Sequence, residues 1–134
     1  MPAPSSFDYA LVRVVPHVER GEFINVGVIL FCRSLCRLLA RIELAPARLA
    51  ALTPEFDLSQ VQAQLDLILR ICAGGDGAGL FTELSQAERF HWLVSPRSTV
   101  IQVSPVHCGL CTDPEVALND LFERLVAPPS SGQS

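Results

Sequence analysis

The sequence predicts an α+β domain in which helices pack on an antiparallel sheet of about four strands. Two β-branched runs joined by a short polar turn indicate a hairpin near the start of the chain, and a third apolar run follows directly. Two later segments carry apolar residues at helical spacing, and the last begins with a strong capping signal. Together these patterns predict one sheet covered by helices.

The hairpin strands are predicted at residues 7–17 and 23–32. Apolar residues occupy both faces of the first, so we expect it to be buried on both sides. Pro16 cannot donate to a sheet ladder and marks the end of the strand or an edge. Gly21 in the turn is free to take a positive φ. Gly27 within the second strand indicates a bulge or a close approach of another backbone.

Residues 36–44 fit two patterns. Alternation of apolar and polar residues favours a strand, whereas Leu35, Leu38 and Ile42 also suit one face of a helix. We interpret the segment as a third strand, because the short break after the hairpin is typical of a meander. A fourth strand is predicted at 99–103, followed by a loop or short edge strand at 104–111.

Helices are predicted at 58–73 and 113–126. A flexible, glycine-rich loop at 73–79 follows the first. A shorter helix should begin at Ser85, with Glu88 completing a capping box. For the last helix, Thr112 or Asp113 is the N-cap and Pro114 the first helical residue. Its apolar stripe is expected to bury five residues: Val116, Leu118, Leu121, Phe122 and Leu125.

A length of 134 residues suits a single domain, predicted at 7–127 between disordered segments at 1–6 and 128–134. Apolar residues make up 49% of the chain and charged residues only 18%, so its surface is expected to be partly covered by a partner or a second copy. We expect a cytoplasmic protein, because a signal peptide and a membrane-spanning run are lacking and the five cysteines suit a reducing compartment.

The charge pattern excludes several functions. A net charge of −4 provides no general attraction to nucleic acid or to an anionic membrane. All ten basic residues are arginines, so a lysine nucleophile, a Schiff base and a P-loop lysine are excluded. The sequence predicts no cofactor.

Two polar blocks on predicted loops form a candidate site for a phosphate or a carboxylate, which arginine binds by fork-like hydrogen bonds. Asn25 stands out because an amide on an apolar strand needs partners if it is buried. In the structural alternative the arginines pair with nearby carboxylates and hold the loops. The candidate ligand-binding residues are Arg20, Gly21, Asn25, Arg97, Ser98, Ser104 and His107.

The cysteines permit weaker hypotheses. Cys108 and Cys111 are spaced as zinc ligands, with Cys32 and Cys36 or two histidines completing the set. Cys111 also lies just before a helix, where the dipole favours a thiolate. A Cys–His nucleophile pair is a further alternative. We favour the structural interpretation, in which Cys32, Cys36 and Cys72 are small core residues. Cys108 and Cys111 are then incidental thiols in a loop.

Two stretches, RVVPHVERGEFINVGVILF and RFHWLVSPRSTVIQVSPVHCGL, resemble the signature blocks of a bacterial family, the domain of unknown function 3037 (DUF3037). The resemblance covers residues 7–126. Its members are small stand-alone proteins often encoded beside a kinase-like protein similar to HipA. The resemblance therefore implies a fold and a protein partner, and it implies no reaction.

The leading functional hypothesis is a non-enzymatic binding or adaptor protein that works with a protein partner, such as a HipA-like kinase, or as a homodimer. Low charge and the lack of a complete catalytic set motivate it. The alternative is a small-anion or nucleotide-binding or catalytic domain that uses the Arg/Asn/Ser/His residues above. A zinc-stabilised module is a minor alternative.

Overall fold

The computed structural model describes residues 3–44, 47–48, 51, 58–95 and 100–127. Within them, three α-helices pack on a five-stranded antiparallel sheet, which confirms the α+β prediction. Short 3-10 helices lie at Val18–Arg20 and Asp76–Glu83. In chain order the elements are β1 (Ser5–Val14), β2 (Ile24–Cys32), β3 (Arg37–Ile42), α1 (Leu58–Ala73), α2 (Gln86–Leu93), β4 (Ile101–Val103), β5 (His107–Cys111) and α3 (Pro114–Leu125).

The strands are ordered β3-β2-β1, and β4 and β5 share the far side of β1. β4 pairs with Val12–Val14, whereas β5 pairs with the residues from Ser5 to Tyr9. One edge of the sheet is therefore β3, and the other is the broken line of β4 and β5. The short edge strand considered for 104–111 is present as β5.

Gly27 combines both features predicted for it. Val12 pairs with Gly27 but Arg13 pairs with Asn25, so Val26 is an extra residue in a β-bulge. A Cβ on Gly27 would lie 2.6 Å from Ile42 Cγ1 and 2.8 Å from the main-chain oxygen of Arg41. The β2 and β3 backbones therefore approach too closely for any side chain at this position.

Three boundaries differ from the predictions. β1 begins at Ser5, inside the segment 1–6 that was expected to be disordered, because β5 supplies pairing partners for its first residues. β1 ends at Val14, just before Pro16. The expected glycine-rich loop after α1 contains the 3-10 helix Asp76–Glu83. The predicted tail at 128–134 lies outside the described residues.

The segment 36–44 forms a strand and not a helix. Cys36 takes a φ of 54° in the turn, and β3 then pairs with β2 from Arg37 to Ile42. Leu38, Ala40 and Ile42 face one core, as the alternating pattern predicts. Pairing with β2 favours the strand over the helix, because a helix at 36–44 would leave the outer edge of β2 without hydrogen-bond partners.

The two faces of the sheet carry different numbers of helices. α1 and α2 cover one face, called here the two-helix face. α3 packs on the opposite, one-helix face. The predicted caps are present, with Asp113 at the start of α3 and the Ser85–Glu88 capping box at α2. In the described part of the chain, no helix is long and apolar enough to cross a membrane.

Candidate functional site

α3 covers only part of the one-helix face. It packs against β2 and β3 and leaves the side formed by β1 and β5 open. A groove of about 720 Å³ runs between this open side and α3. Phe7, Tyr9 and Gly109 lie on the sheet side. The wall formed by α3 consists of residues at helical spacing: Val116, Ala117, Asp120, Leu121 and Arg124.

Aromatic rings line the sheet side of the groove. The centroids of the Phe7 and Tyr9 rings lie 5.9 Å apart, and those of Tyr9 and His107 lie 5.5 Å apart. A Cβ on Gly109 would lie 2.7 Å from Phe7 Cζ, so the Phe7 ring rests directly against the main chain of β5. The sheet side is therefore apolar and closely packed.

The rim of the groove is polar. Asp113 Oδ1 accepts a hydrogen bond from the N–H of Glu115 at 3.0 Å, which caps α3. In the second half of α3, Arg124 Nε donates to Asp120 Oδ2 at 3.0 Å across one helical turn, and both side chains are exposed. Two carboxylates and one guanidinium group thus border an apolar depression.

β5 forms an exposed and uncharged edge. Its outer side pairs with no other strand among the described residues, and its sequence, HCGLC, contains no formally charged residue. Leu110 is 71% exposed, Val116 across the groove 64%, and Val106 just before the strand 45%. Three exposed large apolar side chains therefore lie where the sheet is open.

Ser104 links β4 to β5. Two residues of β1 lie opposite three residues of the other chain segment here, so the edge contains a bulge. Ser104 donates its N–H to the Leu11 oxygen at 2.9 Å, and Leu11 donates its N–H to Ser104 Oγ at 2.8 Å. Ser104 Oγ in turn donates to the Pro105 oxygen at 2.9 Å. The buried hydroxyl therefore replaces a main-chain acceptor and is fully engaged in structure.

Other predicted site residues lie apart from one another. Arg20 Nε pairs with Glu22 Oε1 at 2.7 Å at the exposed end of the hairpin, as in the structural alternative, and Gly21 has the expected positive φ of 71°. His107 lies on β5, on the side of β1 away from β2, where its ring contacts that of Tyr9. None of the described members lines the groove, and Arg97 and Ser98 lie outside the described residues.

Asn25 is half-buried and has the partner that its position requires. Its Nδ2 donates to the Leu125 oxygen at 3.2 Å, at the C-terminal end of α3. Arg13, its neighbour across the hairpin, stacks its guanidinium 4.2 Å from the Phe23 ring centroid. Asn25 Oδ1 and Arg13 Nε are both buried and lack a protein partner. An unpaired acceptor and an unpaired donor thus lie on neighbouring strands.

The cysteines divide between core and surface. Cys32 and Cys72 are buried, as predicted, but Cys36, also predicted in the core, is exposed in the turn before β3. Cys111 is a core residue and not a loop thiol. Burial raises the pKa of the Cys111 thiol and the nearby Cys32 raises it further, which is opposite to the lowering expected from a helix dipole. Burial likewise raises the pKa of Cys72 to about 12, against a smaller lowering by Arg89.

The zinc hypothesis gains no support from this arrangement. Cys108 is exposed, whereas Cys111 points into the core on the one-helix face. Across the ranges that the structure describes, no three His, Cys, Asp or Glu side chains lie together as a metal site requires.

The sequence pattern does not indicate the groove. The apolar stripe predicted for α3 includes Val116, yet Val116 is largely exposed and lines the groove wall. Leu125 is also exposed and wrongly assigned to that stripe. The signal that was available is the lack of charge from His107 to Cys111, which is unusual for an edge strand.

The family model described as "Protein of unknown function (DUF3037)" matches residues 9–126. The chain belongs to this family. The match includes both signature blocks and every helix and strand described above except the start of β1, which confirms the resemblance seen in the sequence. No curated protein and no solved structure matches the chain.

Proposed function

We propose that this DUF3037 protein is a non-enzymatic protein-interaction domain, an adaptor that binds its partner through β5 and the adjoining groove. The observation that carries the proposal is the β5 edge. An unpaired strand edge attracts other strands, and folded proteins usually protect such an edge with charges, proline or a covering element. β5 carries no charged residue, and its Leu110 side chain is 71% exposed.

The groove strengthens this proposal. Its sheet side is apolar, and Val116 exposes most of its side chain on the opposite wall. Burying such side chains against a partner removes apolar surface from water, which favours the complex. The partner is either a second copy of the chain or another protein, and the HipA-like kinase expected from the family resemblance is one candidate.

The test uses the tagged full-length chain and two variants in pull-downs from its native extract. Native mass spectrometry and light scattering of the bound fraction identify a partner protein or a second copy. We expect Leu110→Asp to lose the partner, because a charge at this edge opposes strand pairing and apolar burial. Leu35→Asp is the matched control, since Leu35 is an exposed leucine in the β2–β3 turn, which β1 and β2 separate from β5. It should retain the partner.

A strict monomer without a stoichiometric partner would contradict the proposal, and so would equal loss of the partner in both variants.

The second candidate function is binding of a small anion or nucleotide. It is favoured by one observation, the unpaired Arg13 Nε beside the unpaired Asn25 Oδ1. Calorimetric titration with inorganic phosphate and with mixed nucleotides tests it. Saturable binding that Arg13→Gln abolishes would favour this candidate, whereas no heat of binding would remove it.

A further inference from the structure

We infer that the partner supplies an extended segment which joins β5 as an additional strand and places alternate apolar side chains in the groove. This inference rests on the proposed function, because it names the kind of partner that the same surface accepts. Strand addition at a free sheet edge combines main-chain hydrogen bonds with pockets for every second side chain.

The pleat of β5 determines which side chains reach the groove. His107, Gly109 and Cys111 face the one-helix side, where they contact Tyr9, Phe7 and the α3 core, respectively. Alternation directs the Cys108 and Leu110 side chains to the other side of the sheet, although both residues border the groove at the sheet edge. A strand added beside β5 follows the same pleat, so every second residue points toward the groove next to α3.

A second copy of β5 fills this groove poorly. If two β5 strands paired antiparallel about a twofold axis, each residue would stay on its own face of the joined sheet. The residues that the second copy presents on the one-helix face would then be a histidine, a glycine and a cysteine that is already buried in its own core. The middle position would contribute no side chain to a groove of about 720 Å³. The occupant therefore has a different sequence, with larger side chains at alternate positions.

A helix satisfies fewer features of the surface. A helix lying in the groove would cover Tyr9 and Val116, but it would leave the outer main-chain groups of β5 without partners. An added strand pairs the main chain and also brings neighbours to Leu110.

The charges indicate which segments are accepted. Asp113 and Asp120 border the groove together with Arg124, which is already paired with Asp120. The chain as a whole has a net charge of −4. A segment with basic residues outside its apolar positions is therefore favoured over an acidic one.

The experiment selects peptides on the full-length chain from a displayed library of random sequences about twelve residues long, enough for a strand with flanks. Enriched peptides should carry apolar residues at every second position, and Lys or Arg in preference to Asp or Glu. A labelled enriched peptide should show intermolecular nuclear Overhauser contacts with the β5 main chain. Its binding should be lost in Leu110→Asp and Val116→Asp and retained in Leu35→Asp.

Two exposed thiols provide an internal control. Cys108 lies on β5 and Cys36 lies in the turn before β3, at opposite edges of the sheet. A bound strand should slow the alkylation of Cys108 and leave that of Cys36 unchanged. Equal protection of both thiols would contradict docking at β5.

The outcomes separate this inference from the proposed function. Enriched peptides with apolar residues three and four positions apart that bind as helices would overturn strand addition, and so would a homodimer joined through β5. In both cases the adaptor proposal stands. A library without enriched peptides, combined with a native partner lost in Leu110→Asp, also rejects the extended segment alone. Failure of both the library and the pull-down rejects both proposals.

Discussion

The two edges of the sheet differ in charge. β3 carries Arg37 and Arg41, whereas β5 carries no charged residue. Arg37 pairs with Glu115, and Arg41 stacks its guanidinium 4.0 Å from the Phe122 ring centroid while it binds Glu43. Helices also flank β3 from both faces, since α1 and α3 each pack against it. β5 leaves Cys108 and Leu110 exposed.

The unequal charge of the two edges indicates that another chain can pair at β5 and not at β3. Fixed charges on an edge strand oppose pairing, because an incoming strand would bury or displace them. At β3 the arginines also tie the edge to α3, so the same residues stabilise the fold and protect it. At β5 nothing of the kind is present in the described part of the chain, and an apolar groove adjoins the open main chain.

The largest change in stability is expected from two glycines, Gly27 on β2 next to the β3 edge and Gly109 on the β5 edge. Gly27→Val should lower the free energy of unfolding by about 3 kcal/mol, because the new side chain meets the Arg41 main chain, which cannot move without separating β2 from β3. Gly109→Ala should cost only about 1 kcal/mol, since it displaces the Phe7 ring and not a backbone. Urea denaturation measures both. Equal costs would contradict the difference in packing between the two glycine sites.

The next effect concerns the junction that holds β5 in place. Ser104→Ala should lower the free energy of unfolding by about 1–3 kcal/mol, because the Leu11 N–H loses its acceptor inside the protein. Hydrogen exchange should accelerate at Leu11. Ser6→Ala is the control, as its side chain is exposed on β1, and it should change stability by less than about 0.5 kcal/mol. Unchanged exchange at Leu11 would show that another group accepts this hydrogen bond.

A smaller effect is expected at the protected edge. Arg41→Lys should cost about 1 kcal/mol, because lysine cannot both stack on Phe122 and bind Glu43 and Asn119. Arg37→Lys should cost less than about 0.5 kcal/mol, since its ion pair with Glu115 is exposed. Thermal unfolding of the two variants side by side compares their stability costs. A larger cost for Arg37→Lys than for Arg41→Lys would contradict this prediction.

The smallest effect on stability is expected at Leu110. Leu110→Lys should change the free energy of unfolding by less than about 0.5 kcal/mol, because most of the side chain is already in water. It gives β5 the kind of charge that β3 has, so binding of the selected peptide should be lost while the fold persists. Circular dichroism and peptide titration on one preparation separate the two results. Loss of folding would mean that Leu110 contributes to the core.

Local patterns in the sequence predicted much of the fold. The alternation after Cys36, the capping residues at Ser85 and Asp113 and the glycine at position 27 each express a short-range requirement, and the structure confirms them. The family match also agrees with the signature blocks read from the sequence. Two residues of the candidate ligand site have structural partners instead. Arg20 pairs with its neighbour Glu22, and Ser104 accepts a hydrogen bond from Leu11 at the β4–β5 junction.

The amino-acid pattern thus predicts four of the strands, the helix starts and the tight backbone positions, because these depend on residues close together along the chain. Three features are visible only in the folded chain: β5 lies beside β1, α3 covers β2 and β3, and Val116 faces an open groove. These features depend on contacts such as Leu11 with Ser104 and Asn25 with Leu125, which join residues 93 and 100 positions apart. No local pattern encodes them, because each side chain finds its partner only when the whole sheet has assembled.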